Sequence, residues 1–153
     1  MTRSPITASE IRALAEFRYQ LRRYLRRSEL LVRQYEITSL QYQMLLQLKG
    51  YPGREWANVG ELAERLQSHH HGVVSLVSRC EKLGLVTRRT GREDGRSVEI
   101  HLTEKGDELV THLAQLHREE LLNLHGQFFV PTQGRLGEEV PPEGDQRPEP
   151  DSA

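Results

Sequence analysis

Residues 59–102 read VGELAERLQSHHHGVVSLVSRCEKLGLVTRRTGREDGRSVEIHL, and the period of their apolar residues changes partway along. Up to about residue 83 the apolar residues recur every three or four positions, as on one face of a helix. Two helices fit this pattern, about 59–67 and about 69–83, with only Gln67 and Ser68 between them. We expect Ser68 to cap the second helix and Gly84 to follow its end. Two helices joined by so tight a turn form a helix-turn-helix.

Each of these two helices has one apolar face, which we expect to be buried. On the first helix this face comprises Val59, Leu62, Ala63 and Leu66, and on the second Val73, Leu76, Val77, Cys80 and Leu83. Cys80 is the only cysteine of the chain, and on an inward face a thiol packs as a small inert side chain. We therefore prefer packing to a redox role for Cys80.

A short hairpin follows the helix-turn-helix. Residues 85–89 and 97–102 are strand-like, and Asp94-Gly95 in the polar loop between them is a hairpin-turn dipeptide. A helix-turn-helix followed by a charged hairpin is a winged helix-turn-helix. The predicted fold class is therefore mostly α with a small β-hairpin wing.

Longer helices flank this unit on both sides. The first, about 8–34, begins at a Thr7–Glu10 capping box, and the second, about 39–49, begins at a Thr38–Gln41 capping box. A last helix opens at Thr103 and runs to about 127. The first helix has a stripe at seven-residue spacing, broken by Ser28, which comprises Leu14, Phe17, Leu21, Tyr24, Leu31 and Tyr35. The second helix is apolar at Leu40, Met44, Leu45 and Leu48, and the last helix is apolar at Leu109, Leu113, Leu116 and Leu124. Such a stripe suits a long helix packed against another long helix.

Composition divides the chain at residue 130. The 153 residues carry 21 Lys and Arg against 22 Asp and Glu, a net charge of −1. Residues 131–153 are rich in Pro, Gly and Glu and hold six acidic and two basic residues, so residues 1–130 have a net charge of +3. We expect residues 1–130 to fold as one domain and residues 131–153 to be a disordered acidic tail.

Several classes of protein are excluded or disfavoured. A single cysteine excludes a disulfide framework within the chain, and no apolar run approaches the roughly 18 residues of a membrane span. The Arg-rich start lacks the apolar region of a signal peptide, so we expect a cytoplasmic protein with no membrane partner. No enzyme motif is present. His112 and His117 are five residues apart rather than four, so we expect no metal site and no cofactor.

The outward face of the second helix of the helix-turn-helix is suited to DNA. With the apolar stripe inward, His71, Ser75, Ser78 and Lys82 point outward, and Val74 and Arg79 flank them. Short hydroxyls, an apolar side chain for a thymine methyl and an Arg fork are what a helix in the major groove needs. A solvated helix face is the simpler alternative. The hairpin adds Arg88, Arg89, Arg92 and Arg96, which favour the minor groove or, alternatively, a charged surface hairpin.

Four motifs in order resemble the MarR family of bacterial transcriptional regulators. They are Gly60-Glu-Leu-Ala-Glu-Arg-Leu66, Val77-Ser-Arg-Cys-Glu-Lys-Leu-Gly-Leu-Val86, Asp94-Gly-Arg96 and Leu102-Thr-Glu-Lys-Gly106. The segment Leu40-Gln-Tyr-Gln-Met-Leu-Leu46 is similar to the second helix of the family, and the resemblance covers roughly residues 8–127. It implies a homodimeric winged-helix protein that binds double-stranded DNA at a pseudo-palindromic site, usually as a repressor released by a small, often aromatic, effector.

The resemblance also implies residue roles. The recognition-helix positions of the family fall on His70, His71, Val74, Ser75, Ser78 and Arg79, and its Asp-x-Arg wing signature on Asp94 and Arg96. From the basic residues of the same loop we add Arg92 as a DNA contact. Members usually continue into one more helix that completes the dimer, where this chain has Pro131 and the acidic tail. We therefore expect dimerisation to depend on the first and last long helices.

Two alternatives stay open. An effector cavity between the long helices and the helix-turn-helix would be lined by Phe17, Leu21, Tyr24, Trp56 and Leu113. The simpler interpretation of each of these side chains is ordinary core packing. The alternative to DNA binding is a protein-interaction module on a winged-helix scaffold, which predicts an apolar recognition face instead of hydroxyls and bases.

Overall fold

The computed structural model describes residues 4–91, 95, 97–124 and 131. Two compact units divide these residues: one holds residues 4–24 and Pro131, and the other holds the rest. The described elements are α1 (Ala8–Arg33), α2 (Ser39–Lys49), β1 (Trp56–Ala57), α3 (Val59–Leu66), α4 (His70–Lys82), β2 (Val86–Thr90), β3 (Val98–Leu102) and α5 (Glu104–Asn123). The predicted fold class is confirmed: helices dominate, and α3 and α4 are followed by a hairpin of β2 and β3.

Side-chain caps define the starts of the helices. The Thr7 hydroxyl accepts the Glu10 N–H at 3.1 Å, and the Glu10 carboxylate accepts the Thr7 N–H at 2.8 Å. The same reciprocal pair joins Thr38 to Gln41 before α2 and Asn58 to Glu61 before α3. Each pair satisfies backbone donors that would otherwise lack a partner in the first turn, so the predicted starts coincide with the observed ones.

The sheet has three antiparallel strands in the order β1-β3-β2. In the hairpin, Val86 pairs with Leu102 and Thr90 pairs with Val98. On the other side of β3, Trp56 pairs with His101 and Ala57 with Ile100. The third strand, β1, was not predicted, because two residues are too few to show the alternation of a strand.

The second unit contains a core to which α2, α3, α4, α5 and the sheet contribute. Its largest fully buried side chains include Leu45, Leu62, Val77, Ile100 and Leu113. Four of these five positions were expected to be buried from the helical periodicity, and Ile100 lies in the predicted second strand of the hairpin.

Leu83, which we expected in the core, is exposed, and so is Leu40, one of the apolar positions of α2. The buried face of α2 is rotated toward Gln41 and Tyr42, which leaves Leu40 at its edge. Leu83 is the last residue before Gly84 turns the chain at a φ of +75°, and Leu85 enters the core in its place. Apolar residues at the edge or the end of a helical stripe cannot be assigned from periodicity alone.

The predicted cap at Ser68 is wrong. Gln67 adopts a left-handed conformation with a φ of 50°, and the Ser68 hydroxyl donates back to the Leu66 carbonyl at 3.4 Å. The N-cap of α4 is therefore His69, one residue later, and no side chain in the described part of the chain caps this helix.

Hydrogen bonds join the start of α5 to the turn after α4. Thr103 donates its backbone N–H to the Leu85 carbonyl at 3.0 Å and its hydroxyl to the Gly84 carbonyl at 2.6 Å. Lys105 donates to the Leu83 carbonyl at 2.9 Å. These bonds satisfy carbonyls at the end of α4 and explain the presence of Thr103 and Lys105.

The predicted domain boundary at residue 130 and the predicted tail lie, apart from Pro131, outside the described residues. Both stay predictions. None of the described helices combines the length and the apolar character needed to cross a bilayer.

Candidate nucleic-acid interface

One side of α4 packs on the core and the other side is free of it. Val73, Val77 and Cys80 are fully buried, and Leu76 nearly so. His70, His71, Ser75 and Arg79 are exposed, Val74 is 38% exposed and Ser78 is half-buried. The outward orientation expected from the helical wheel is therefore observed, while the role of these residues in DNA binding stays a prediction.

Cys80 lies on the inward side with no exposed surface. Burial raises the pKa of its thiol to about 11, because the thiolate would be poorly solvated there. The thiol is therefore protonated near neutral pH, which fits the predicted packing role and disfavours a redox role.

Three consecutive histidines lie at the N-terminus of α4. His69 is the N-cap, and its ring stacks on that of His71 with centroids 6.1 Å apart and the planes nearly parallel. All three side chains are exposed. The first-turn N–H groups of α4 and these imidazoles are the donors that this end of the helix can offer to an anion.

Arg88, in the first strand of the hairpin, reaches back to α4. Its guanidinium donates to the Ser78 hydroxyl at 2.9 Å and to the Glu81 carboxylate at 2.7 Å. Its backbone N–H also donates to Glu81 at 3.3 Å. From the sequence we expect Arg88 in the basic wing, and this contact with α4 was not predicted. Side chains two residues apart on a strand point to the same face of the sheet. The apolar Val86 is buried, and its position two residues before Arg88 was the signal in the sequence that Arg88 points to the same side, toward α4.

An acidic residue, Glu81, also lies close to the recognition face. It is exposed on a flank of α4, near the expected base-contacting side, and Arg88 pairs with its carboxylate. The local charge of this pair is therefore close to zero. The cations of α4 that have no acidic partner among the described residues are Arg79 and Lys82.

The predicted wing residues Arg92, Asp94 and Arg96 lie outside the described residues. The base of the wing is described: Gly91 donates its N–H to the Ser97 carbonyl at 2.7 Å. Gly95 has a φ of 64°, the conformation that a hairpin turn at Asp94-Gly95 requires.

The predicted effector-lining residues fall in the two separately described units. Phe17, Leu21 and Tyr24 are half-buried residues of the first unit. In the second unit Leu113 is fully buried in the core. The Arg54 guanidinium lies over the Trp56 ring, and the Arg54 Cζ is 3.8 Å from the ring centroid. That these five residues line one cavity stays a prediction.

Arg54 belongs to a small polar cluster at the start of α3. Its guanidinium also lies over the Tyr51 ring and pairs with the Glu61 carboxylate, to which the Tyr51 hydroxyl donates at 2.6 Å. Burial alone would raise the pKa of Glu61. Hydrogen bonds from Tyr51 and the Asn58 backbone, together with Arg54, outweigh burial and lower it. Glu61 is therefore ionised at neutral pH and holds the start of the helix-turn-helix together.

A second polar cluster explains the serine that interrupts the stripe of α1. The Ser28 hydroxyl and the buried His117 Nε2 are 2.7 Å apart, and His117 Nδ1 is 2.7 Å from the Leu113 carbonyl. The His117 ring stacks on Tyr42 with centroids 4.5 Å apart. His117 is therefore a satisfied core histidine. Within the described residues no group of three or more His, Cys, Asp or Glu could hold a metal ion.

Comparisons with known proteins agree with this geometry. The MarR family model matches residues 35–97, which contain α2, β1, the helix-turn-helix and the first strand of the hairpin. A MarR family protein from Bacillus stearothermophilus superposes with a TM-score of 0.69 at 25% identity, over 82% of this chain and 86% of that chain. No curated protein matches the chain.

Two further solved structures share the fold. AbsC, a MarR family transcriptional regulator from Streptomyces coelicolor, has a TM-score of 0.67 at 21% identity over 84% of this chain and 86% of that chain. MepR, a transcription regulator of the Staphylococcus aureus multidrug efflux pump MepA, has a TM-score of 0.65 at 22% identity over 81% and 86%. Residues 35–97 are therefore similar to the MarR family, and the three solved structures share the fold of this chain.

Proposed function

We propose that the chain is a sequence-specific DNA-binding transcription regulator that acts in the cytoplasm as a homodimeric repressor and is released by a small molecule. The observation that carries the proposal is the outward face of α4, where Ser75, the histidines and Arg79 are exposed on a helix fixed by its buried side. A variant of the related MepR has been solved bound to an oligodeoxyribonucleotide, which supports DNA as the partner.

The composition of this face favours DNA over a protein partner. Its exposed residues are His70, His71, Ser75 and Arg79, and Val74 is its one exposed large apolar side chain. A protein-docking surface would be expected to present a contiguous apolar patch at its centre. Hydroxyls and an Arg fork instead match the hydrogen-bonding groups of base edges and phosphates.

Each described unit exposes large apolar side chains that support dimerisation. Ile11, Leu14 and Tyr19 are exposed in the first unit, and Leu121 and Leu122 in the second. Burial of such side chains against a second copy is favourable at about 25 cal/mol per Å². A two-fold dimer places two recognition helices about 34 Å apart, one turn of DNA, and so binds a pseudo-palindromic site.

Release by an effector follows from this geometry. Both half-sites must be met at once, so a ligand that binds better to a dimer with another helix spacing weakens DNA binding. Phe17, Leu21, Tyr24, Trp56 and Leu113 are the proposed contacts of such a ligand. Titration of the protein–DNA complex with phenolic compounds tests this step, and compounds that bind the free protein without weakening DNA binding would contradict it.

The test of the function is selection of bound sites from random DNA, followed by fluorescence anisotropy on the selected duplex across a range of salt. We expect a pseudo-palindromic site and an affinity that falls steeply with salt. Replacement of Arg96 by Ala should weaken binding to all sequences and reduce the salt slope by about 1. Arg118, exposed on α5, provides the matched control: Arg118→Ala should change neither. A weak salt dependence with no selected site would instead support the protein-interaction module.

A further inference from the structure

We propose that Arg88 and Glu81 are positioning residues that fix the Ser78 hydroxyl as a hydrogen-bond donor toward DNA, so that Ser78 selects a hydrogen-bond acceptor on a base edge. The inference deepens the proposed function, on which it rests. It assigns a direction to one hydrogen bond of the recognition helix.

The geometry begins with the anchored guanidinium. Arg88 Nη1 donates to Glu81 Oε1 at 2.7 Å, and the other oxygen of the same carboxylate accepts the Arg88 backbone N–H at 3.3 Å. The Glu81 carboxylate therefore accepts hydrogen bonds from both the backbone N–H and the guanidinium of Arg88. With Nη1 fixed in this way, the planar guanidinium directs Nη2 at Ser78 Oγ, 2.9 Å away.

The chemistry of the two groups then sets the polarity of Ser78. A guanidinium can only donate hydrogen bonds, whereas a hydroxyl has one donor hydrogen and two acceptor lone pairs. The bond to Arg88 therefore uses a lone pair of Ser78 Oγ, and the hydroxyl hydrogen must point away from Arg88. Among the described residues Ser78 makes no other hydrogen bond. The donor hydrogen is left for a ligand on the outward side of α4.

The positive charge of the guanidinium strengthens this preference. A hydroxyl that accepts a hydrogen bond from a cation is polarised, which makes it a better donor and a poorer acceptor. In the major groove the acceptors are purine N7, guanine O6 and thymine O4, and the donors are the amino groups of adenine and cytosine. Ser78 should therefore bind the first set and disfavour the second.

Ser75 provides the contrast within the same helix. It lies nearly one turn before Ser78, is exposed, and makes no hydrogen bond with a described residue. Its hydroxyl is free to rotate, and a free serine hydroxyl can either donate to or accept from a base. The structure therefore distinguishes two serines that the sequence presents as equivalent.

Stability does not explain the Arg88–Glu81 pair. The two side chains are 32% and 42% exposed, and ion pairs at such positions contribute little to folding. The arrangement has a second effect, which is to hold one hydroxyl on the recognition face in a defined orientation.

The test first locates the base that Ser78 contacts. Sites are selected from random DNA with the wild-type chain, with Ser78→Ala and, as the matched control, with Ser75→Ala. The position whose preference changes only in Ser78→Ala is the Ser78 position. Anisotropy is then measured on duplexes carrying base analogues at that position, each of which lacks one acceptor (N7, O6 or O4) or one donor amino group.

For the wild-type chain we expect removal of one particular base acceptor to weaken binding about 3- to 10-fold, the effect of one hydrogen bond. We call this loss of affinity the acceptor penalty. Removal of a donor amino group should change the affinity by less than about 2-fold. Ser78→Ala should lose this acceptor penalty, and Ser75→Ala should keep it. Arg88→Met keeps the aliphatic stem and removes the donor, so the penalty should fall while the duplex is still bound. Glu81→Gln should lower the penalty in the same direction, and circular dichroism checks that each variant is folded.

Two results overturn the inference alone: a wild-type penalty as large for donor loss as for acceptor loss, or a full acceptor penalty in both folded Arg88→Met and folded Glu81→Gln. Sequence-specific binding in which Ser78→Ala matches the wild type at every position also overturns it and leaves the proposed function intact. Failure of the wild-type chain to bind any selected duplex overturns both.

Discussion

Gly106 is buried in the first turn of α5, against the backbone of Leu85 at the end of the α4 turn. A Cβ at this position would collide with the Leu85 carbonyl group and would lie 3.2 Å from the Leu85 Cα. Since the obstacle is backbone, relief requires movement of α5 away from the turn that holds it. We expect Gly106→Ala to lower the free energy of unfolding by about 2–3 kcal/mol in a denaturant titration.

Gly72 provides the matched control, because it also lies inside a helix. A Cβ there meets nothing within 4 Å. Gly72→Ala should therefore raise the free energy of unfolding by up to about 1 kcal/mol, the difference in helix propensity. If Gly106→Ala were as stable as Gly72→Ala, the close approach of α5 to Leu85 would not exist in solution.

The pairing of Ser28 with His117 leads to a second prediction at the residue scale. Ser28→Ala removes the partner of a buried imidazole nitrogen and should cost about 1–2 kcal/mol. A double-mutant cycle with His117→Leu should show a coupling of about 1 kcal/mol, because the loss of one partner already breaks the bond.

Tyr35 and His112 form the corresponding control. The Tyr35 hydroxyl is 2.9 Å from His112 Nε2, and this bond is exposed. Tyr35→Phe should therefore change stability by less than about 0.5 kcal/mol. Equal losses for Ser28→Ala and Tyr35→Phe would show that burial does not distinguish the two histidines.

At the scale of the element, the start of α3 couples stability to pH. The pKa of Glu61 in the folded chain is lowered below its ordinary value of 4.5. The contribution of Glu61 to the free energy of unfolding is therefore fully present above pH 4.5, and it is lost as the pH falls through the lowered pKa of the folded chain. Glu61→Gln keeps an oxygen for the Asn58 N–H but removes the charge that faces Arg54. We expect the variant to be about 1–2 kcal/mol less stable at pH 6 and to lose less stability on acidification.

The measurement is urea unfolding at a series of pH values between about 6 and 3. Glu108→Gln provides the control, since Glu108 is exposed on α5 and makes no ion pair with a described residue. This variant should follow the wild-type pH dependence. A Glu61→Gln curve parallel to the wild type throughout would show that Glu61 does not titrate differently in the folded chain.

Elements that depend on local chemistry could be predicted from the sequence, and elements that depend on tertiary contacts could not. The helix starts at Thr7, Thr38 and Asn58 are encoded by caps within four residues. The strand β1 exists only because Trp56 and Ala57 pair with β3, which is distant in sequence. The cap expected at Ser68 failed because Gln67 adopts a left-handed turn, which the sequence QSHH does not indicate.

The candidate site shows the same division. The outward face of α4 follows from helical periodicity, a local property, and its exposure was correctly predicted. The contact of Arg88 with Ser78 and Glu81 joins a strand to a helix, and its existence depends on how the hairpin packs on α4. The sequence could identify the residues that can reach DNA but not the one whose hydroxyl is already oriented.

At the scale of the whole molecule, the net charge of −1 conceals two opposite parts. Residues 131–153 have a net charge of −4, and the remainder has +3. Attraction to DNA depends on the charge near the interface more than on the sum, because salt screens exposed charges beyond about 10 Å. We therefore expect the acidic segment to weaken non-specific DNA binding without contributing to the fold or to the selected site.

A chain ending at Val130 tests this expectation. It should sediment as a dimer, bind the selected duplex as the full chain does, and bind unrelated DNA more tightly by about 2- to 3-fold at low salt. The matched control is the full chain with Glu138, Glu139 and Glu143 replaced by Gln, which removes charge but keeps length. Both variants should gain non-specific affinity if charge is the cause. Loss of the dimer in the truncated chain alone would show that residues after 130 supply part of the dimer interface.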